Sequence, residues 1–404
     1  MNLSFENTAT AFEYKPDKEL RKAKFLFSSM GIDWLVKLGT KLTPWLIKSG
    51  LPIKGLIRNT IFSQFVGGET LAETAKVVDK LSKFNVKVIL DYGVEGKEGE
   101  ENFDVAAQNF VKVIEYASSQ PNIPFISVKL TGFARFELLQ KLDAASNYND
   151  ILKGLVPVEA LTIDERSEWK RVELRLDKIC GAARLSNTGV LIDAEESWIQ
   201  NPVDALTMQM MKKYNSEKAV VYNTIQLYRQ DRLHFLKDSF NASQKDHFIG
   251  GFKLVRGAYM EKERRRAGEL NYLSPIQQAK DETDEDYNAA ILFCVERLND
   301  MYVIIASHNE YSNHYAVEAM EKMNFSTDHP HIHFSQLYGM SDNITFNLAK
   351  EGCSVSKYLP FGPINDVIPY LMRRAQENSS VSGQTGRELA LIKKELKRRQ
   401  TMAS

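Results

Sequence analysis

The chain reads as an α/β protein built as a closed (β/α)8 TIM-like barrel, with an N-terminal helical region. Three observations point there. Short apolar or β-branched runs alternate with longer helical patterns, eight such units follow one another, and polar residues recur where the short runs end. At 404 residues the chain is too long for one small core and suits a large barrel or two domains.

Residues 1–60 read as helices broken at Gly50 and Pro52. IFSQFVGG then reads as the first strand, followed by the helical ETLAETAKVVDKLSKF. VKVILDYG precedes FDVAAQNFVKVIEYASS, and FISVKLTG precedes FELLQKLDAA with further helix through residue 182. GVLIDAEE, AVVYNTIQ, GGFKLVRGAY, YVIIASHN and IHFSQLYG complete the eight strands. The charge-rich EKERRRAGELNYLSPIQQAKDETDED interrupts the sixth unit and reads as a mobile surface excursion. The expected division is residues 1–60 as a helical region, 61–380 as the barrel and 381–404 as a basic helix or tail.

Composition excludes several classes. Hydrophobic content of 43% and charged content of 26% are ordinary for a soluble enzyme, and a net charge of zero argues against a nucleic-acid partner. Cys180, Cys294 and Cys353 match no metal or redox spacing, which fits a reducing, cytoplasmic setting. No apolar run of membrane-spanning length occurs, and MNLSFENTATAFEY resembles neither a signal nor a transit peptide. Charge is uneven, however. Residues 1–60 hold ten Lys/Arg against five Asp/Glu, and ELALIKKELKRRQ is basic. Such runs are usually solvated helix faces, but they also suit peripheral contact with the inner face of an anionic membrane.

The strand ends carry Glu69, Asp91, Lys129, Asp193 with Glu195 and Glu196, Gln226, Arg256 with Tyr259, His308 with Asn309, and Gln336. Barrel enzymes place their reactive groups at such ends, although polar residues there also cap the following helices. Neither GxGxxG after a strand nor GxxxxGK[ST] is present. His329, His331 and His333 alternate on one strand face, yet no carboxylate motif accompanies them, so no metal is expected. Lys129 in FISVKLTG suits a Schiff-base nucleophile, a fixed positive charge or a merely exposed lysine, and spacing does not separate these. In IPYLMRRAQEN, Tyr370, Arg373, Arg374 and Glu377 share one helical face opposite Ile368, Leu371, Met372 and Ala375. Taken alone, that pattern reads as a surface helix with a charged stripe in water.

Together, GGFKLVRGAYMEKE, GVLIDAEES, IASHNEYS, FSQLYGM and YLPFGPINDVIPYLMRRAQEN resemble the proline dehydrogenase family, in order, from about Phe65 to Asn378. The resemblance implies a distorted (β/α)8 TIM-like barrel with a last helix over the barrel mouth, FAD as cofactor, L-proline as substrate and a membrane quinone as electron acceptor. It also implies that Arg373 and Arg374 bind the substrate carboxylate with Lys129 as a third positive partner. Tyr358 and Tyr370 match residues that pack on the pyrrolidine ring. Glu377 matches a glutamate that helps hold the flavin and the arginine pair, and Glu69 a glutamate that pairs with the first arginine as a gate. Lys253, Val255, Gly257 and Ala258 match the isoalloxazine and ribityl region, with Lys253 where some relatives have arginine. Asp193 and Gln226 match further flavin contacts, Lys280 a pyrophosphate contact, and Ser307, His308, Asn309 and Gln336 the adenosine side. Hydroxyproline oxidation, a Schiff-base aldolase using Lys129, and an amino-acid-sensing barrel without turnover are the alternatives.

Overall fold

The computed structural model describes residues 3–30, 54–93, 98–380 and 384–403. Eight strands are hydrogen-bonded in sequence order into a closed barrel. They are β1 Lys87–Tyr92, β2 Phe125–Val128, β3 Gly189–Ile192, β4 Val221–Gln226, β5 Gly250–Val255, β6 Met301–Ala306, β7 Ile332–Leu337 and β8 Val355–Phe361. The barrel strands pair in parallel, with Lys87 opposite Ser356, Phe125 opposite Gly189 and Asn223 opposite Phe252. Strands β3 and β4 are buried along their whole length, which is why GVLI reads as a continuous rather than an alternating run.

The barrel expectation holds, but one of its strands is another segment than expected. IFSQFVGG is not a strand: Arg58–Phe62 forms a π-helical turn and Ser63–Phe65 an α-turn. A short apolar run cannot by itself distinguish a strand from a buried helical turn, and here Phe62 and Phe65 enter a helical cluster with Phe12, Leu20, Phe27, Leu371 and Leu391. The strand that closes the set is β8, VSKYLPF, which contains a lysine and a proline. Lys357 is fully buried there and is tolerated because Asp342 lies 2.9 Å away.

The chain divides into two compact units, one of residues 1–95 with 336–404 and the other of residues 96–335. In the first, helix Gln384–Ala403 packs Leu391, Ile392 and Leu396 into the cluster just described. Four of its basic residues are engaged within the unit. Arg387 and Lys394 pair with Glu6, Arg399 pairs with Asp17 and donates to the carbonyls of Phe12 and Lys15, and Glu395 holds Arg398 and Arg399. No helix among the described residues is long and apolar enough to cross a membrane.

The second unit carries β2–β6 and most of β7, with their helices. Helix Ile163–Leu185 opens with a capping box in which Thr162 and Glu165 exchange bonds with each other's backbone. The charge-rich stretch after β5 is ordered rather than a featureless excursion. It forms helix Met260–Leu270, returns through Ile276 bridged to Arg229, and enters helix Lys280–Val295.

Candidate active site

In the second unit, the ends of β2, β3 and β5 bring two lysines to one carboxylate. Asp193 follows β3 directly; its Oδ2 lies 3.6 Å from Lys129 Nζ, and its Oδ1 is bonded by Lys253 and by Ser127 Oγ at 2.7 Å. Burial alone would raise the Asp193 carboxyl. The attraction of Lys253 and then Lys129 outweighs it and holds the group well below the usual carboxylate range. Ser127 was not singled out from the sequence, although it stands two residues before Lys129 and so on the same strand face.

One turn beyond, Lys129 leads into the 3-10 turn Leu130–Gly132. Both oxygens of Glu195 are engaged by Thr131, Oε2 by its hydroxyl at 2.6 Å and Oε1 by its N–H at 3.3 Å. At the end of β4, Gln226 is buried and its Nε2 donates to the Glu195 carbonyl at 3.1 Å. Gln226 Oε1 has no hydrogen-bond partner among the described residues. A buried, unsatisfied amide oxygen is costly, so it marks a place built for a donor that the chain does not itself supply.

Beyond β5, the backbone stays paired past the strand end, with Leu227 N–H donating to the Val255 carbonyl and Tyr228 N–H to that of Arg256. Gly257 then adopts φ +133, and a Cβ there would come within 2.4 Å of the Tyr228 ring. Only glycine fits this position. Gly257 and Ala258 are exposed. Arg256 is held by Asp284 at 2.7 Å, Ser307 Oγ at 2.8 Å and Ser312 Oγ at 3.0 Å, with its guanidinium over the Tyr287 ring.

The remaining expected residues of this unit have identifiable local duties. Lys280 is exposed and pairs with Asp284. Ser307 accepts from Asn309 N–H as well as from Arg256, and Asn309 caps helix Glu310–Lys322 through Ser312 N–H. His308 is half-buried between them. Of the alternating histidines, His331 stacks on Tyr302 and His333 meets the Phe125 ring edge-on, so both serve as packing groups.

In the first unit, helix Ile364–Ser380 carries the paired arginines. Arg374 is only 7% exposed and lies over the Tyr370 ring at 5.2 Å; Arg373 is half-buried. A helix whose charged stripe simply meets water would not bury an arginine this far, so the surface reading fails for Arg374. Glu377 lies in the same helix but outside the residues whose side chains are described. Tyr358 of β8 is half-buried, its carbonyl accepting from Tyr338 N–H, and Gln336 is buried and accepts from the Thr345 hydroxyl.

Glu69 lies in a loop rather than at a strand mouth, because the segment before it is helical. Its carboxylate stands 3.2 Å from Arg58 and accepts from Ile364 N–H at 3.4 Å, at the start of the arginine-bearing helix, where the helix dipole favours negative charge. It does not cap the helix that follows it: Thr70 caps Leu71–Ser82, while Glu73 accepts from Glu69 N–H. A cleft of about 360 Å³ opens beside it, lined by Gly55, Arg58, Glu69, Pro363, Ile364 and Asn365.

Comparison with known proteins places this arrangement. Proline dehydrogenase 1, mitochondrial, of Dictyostelium discoideum is 33% identical over 427 residues, spanning 97% of this chain and 74% of its own length. The carbapenem antibiotics biosynthesis protein CarD of Pectobacterium carotovorum subsp. carotovorum is 34% identical, spanning 86% of each chain. The crystal structure of proline utilization A from Bdellovibrio bacteriovorus, inactivated by N-propargylglycine, superposes with a TM-score of 0.70 over 94% of this chain at 20% identity. This chain spans only 38% of that protein, and the likeness bears on the fold. The family model described as proline dehydrogenase matches residues 74–387, and the chain belongs to the proline dehydrogenase family.

Proposed function

We propose that this protein oxidises L-proline to 1-pyrroline-5-carboxylate, with FAD as cofactor and a membrane quinone as electron acceptor. The observation that carries the reading is the Lys129–Asp193–Lys253 arrangement at the strand ends of a chain of this family. Two lysines converging beside one carboxylate at the strand ends bring positive charge to that place, which suits an anionic ligand.

The residues present fit the flavin. Gln226 Oε1 is a buried acceptor awaiting a donor, Gly257 and Ala258 present backbone with little side chain, and Lys253 supplies a cation in place of the arginine of some relatives. We assign Asp193, Gln226, Lys253, Val255, Gly257 and Ala258 to the redox-active end of the cofactor. Ser307, His308, Asn309 and Gln336 go to its adenosine end, and Lys280 to its pyrophosphate. When bound, the flavin accepts the hydride from the ring carbon beside nitrogen.

The chain's own residues bind and orient. Arg373 and Arg374 are assigned to the substrate carboxylate, since a guanidinium matches a carboxylate bidentately and keeps its charge at any working pH. Lys129 is assigned to the same group as a point charge. Tyr358 and Tyr370 pack on the pyrrolidine ring; Glu377 steadies the arginine pair, and Glu69 gates it. The catalytic region is assigned to residues 61–380. Peripheral approach to the inner face of a membrane, from the cytoplasmic side, completes the reading, because a lipid-soluble acceptor must be reached there.

Anaerobic addition of L-proline to the purified protein tests the reading. Bleaching of a visible flavin absorption, with 1-pyrroline-5-carboxylate formed, is expected. A colourless protein trapped by borohydride with a carbonyl substrate favours the aldolase, and bleaching by trans-4-hydroxyproline as fast as by proline favours hydroxyproline oxidation. Arg373→Met and Arg374→Met each raise the proline KM. An unchanged KM in both removes the carboxylate assignment.

A further inference from the structure

Glu195 has no assigned part in the reaction, yet it is tied to its surroundings at every polar atom. Its N–H donates to Gln200 Oε1 at 2.9 Å, and Gln200 in turn donates to the fully buried Asp204. Its carbonyl accepts from Gln226 Nε2, and its two carboxylate oxygens accept from the N–H and hydroxyl of Thr131. Thr131 lies in the turn that begins as soon as Lys129 ends its strand, and Gly132 N–H closes that turn on the Lys129 carbonyl at 3.1 Å.

From this geometry we infer that Glu195 is a positioning residue, which holds the Lys129 turn through Thr131 and the Gln226 side chain through its own carbonyl. One residue thereby sets the substrate-facing lysine and the flavin-facing amide in a common frame. This rests on the proline-oxidising reading, which assigns Lys129 to the substrate carboxylate.

The hold depends on charge. Two donors from Thr131 converge on two acceptor oxygens, and hydrogen bonds to an ionised carboxylate are about twice as strong as those to a neutral carboxyl, so protonation loosens the hold. Burial, the largest influence, pushes the group up to about 7 against the Thr131 hydroxyl bond; Glu196 adds to the rise and Lys129 offsets it. The other charged groups nearby are engaged: Glu196 with Lys262, Glu263 with Ser197, and Asp193 with Lys253. With its carboxyl raised to about 7, Glu195 changes charge near neutrality, and the Lys129 turn tightens as pH rises through that value.

The test is binding of tetrahydrofuran-2-carboxylate, a ring carboxylate without an amine that titrates in this range, to the flavin-loaded protein between pH 6 and pH 8. For the parent, affinity rises about fivefold to tenfold over that interval, following ionisation of one group near pH 7. Glu195→Gln flattens the profile and holds affinity near the parent's pH 6 value, while kcat at saturating proline changes less than KM. Thr131→Val, which keeps the N–H and loses the hydroxyl, weakens binding at pH 8, and Thr131→Ser restores it. A pH-independent affinity in a parent that oxidises proline overturns the inference alone, as does a Glu195→Gln profile that matches the parent's. A parent that does not oxidise proline overturns the functional reading itself.

Discussion

Two aspartates in this molecule are each held by two lysines, and they differ in what surrounds them. Asp193 and its lysines stand where strands end: the side chains of Lys129 and Asp193 are 19% and 12% exposed, and their ion pair is 3.6 Å long. Asp342 stands at the start of helix Asp342–Lys350, bonded by Lys15 at 2.8 Å, by Lys357 at 2.9 Å and by the Tyr14 hydroxyl at 2.8 Å, with Lys357 fully buried. The same three charges thus make a buried tie in one place and a cluster partly open to solvent in the other. Charge pairing does not identify a binding site. Reach of solvent does more, because only there does binding an anion cost little desolvation.

If that comparison is right, breaking the closed cluster costs stability and breaking the open one costs activity. The largest effect belongs to Asp342→Asn, which leaves Lys15 and Lys357 buried without their partner and lowers stability by about 3–5 kcal/mol. Denaturant melts of the purified variant measure this, and a loss under about 1 kcal/mol would show that the cluster is not a tie.

Next comes Glu388, buried and bonded to Ser341 N–H beside Asp342. Burial, then the charge of Asp342, pushes its carboxyl up to about 7. A carboxyl raised on folding binds its proton more tightly in the folded state. Its contribution is fully present below the unfolded value of about 4.5 and is lost as pH rises through about 7. Asp342 has the opposite sign, since its lysines pull it well down against burial: its contribution is present above the unfolded value and lost on acidification. Glu388→Gln should therefore remove a decline of at most about 3 kcal/mol between pH 5 and pH 8. Melting temperatures across that range report it, and identical slopes in parent and variant would refute the assignment.

Lys129→Met sharpens the other half of the comparison. Proline kcat/KM should fall about tenfold to a hundredfold, as expected for a charged hydrogen bond of about 1.5–3 kcal/mol, while the melting temperature stays near the parent's. A variant that melts early with normal kinetics would place Lys129 among the structural ties. The smallest effect is expected at Glu6, whose ion pairs with Arg387 and Lys394 are exposed; Glu6→Gln should cost no more than about 1 kcal/mol, and less in high salt.

Legibility differed sharply between these two clusters. Lys129 and Asp193 stood out because each follows a β-branched run, so the alternation that marks the strand also marks its end. Lys357 and Pro360 hid β8 for the same reason in reverse: both interrupt an apolar pattern, and proline counts against a strand. The fully buried lysine is explained only by Asp342, fifteen residues earlier, which no local pattern connects to it. IFSQFV failed differently, its apolar residues being equally good as strand or as buried helical turn.

By itself, then, the sequence determined the barrel, most of its strands, the family and the positions of the charged strand-end residues, because local periodicity and motif order are properties of the chain read in line. Tertiary structure alone decided which segments supplied β8 and the helical turn before Glu69, and that Arg374 is buried. It also decided that Arg387, Lys394 and Arg399 of the basic tail are engaged by Glu6 and Asp17, and that Glu195 grips Thr131. Each of these depends on a partner far away in sequence, and burial or pairing with such a partner is settled only when the chain has closed on itself.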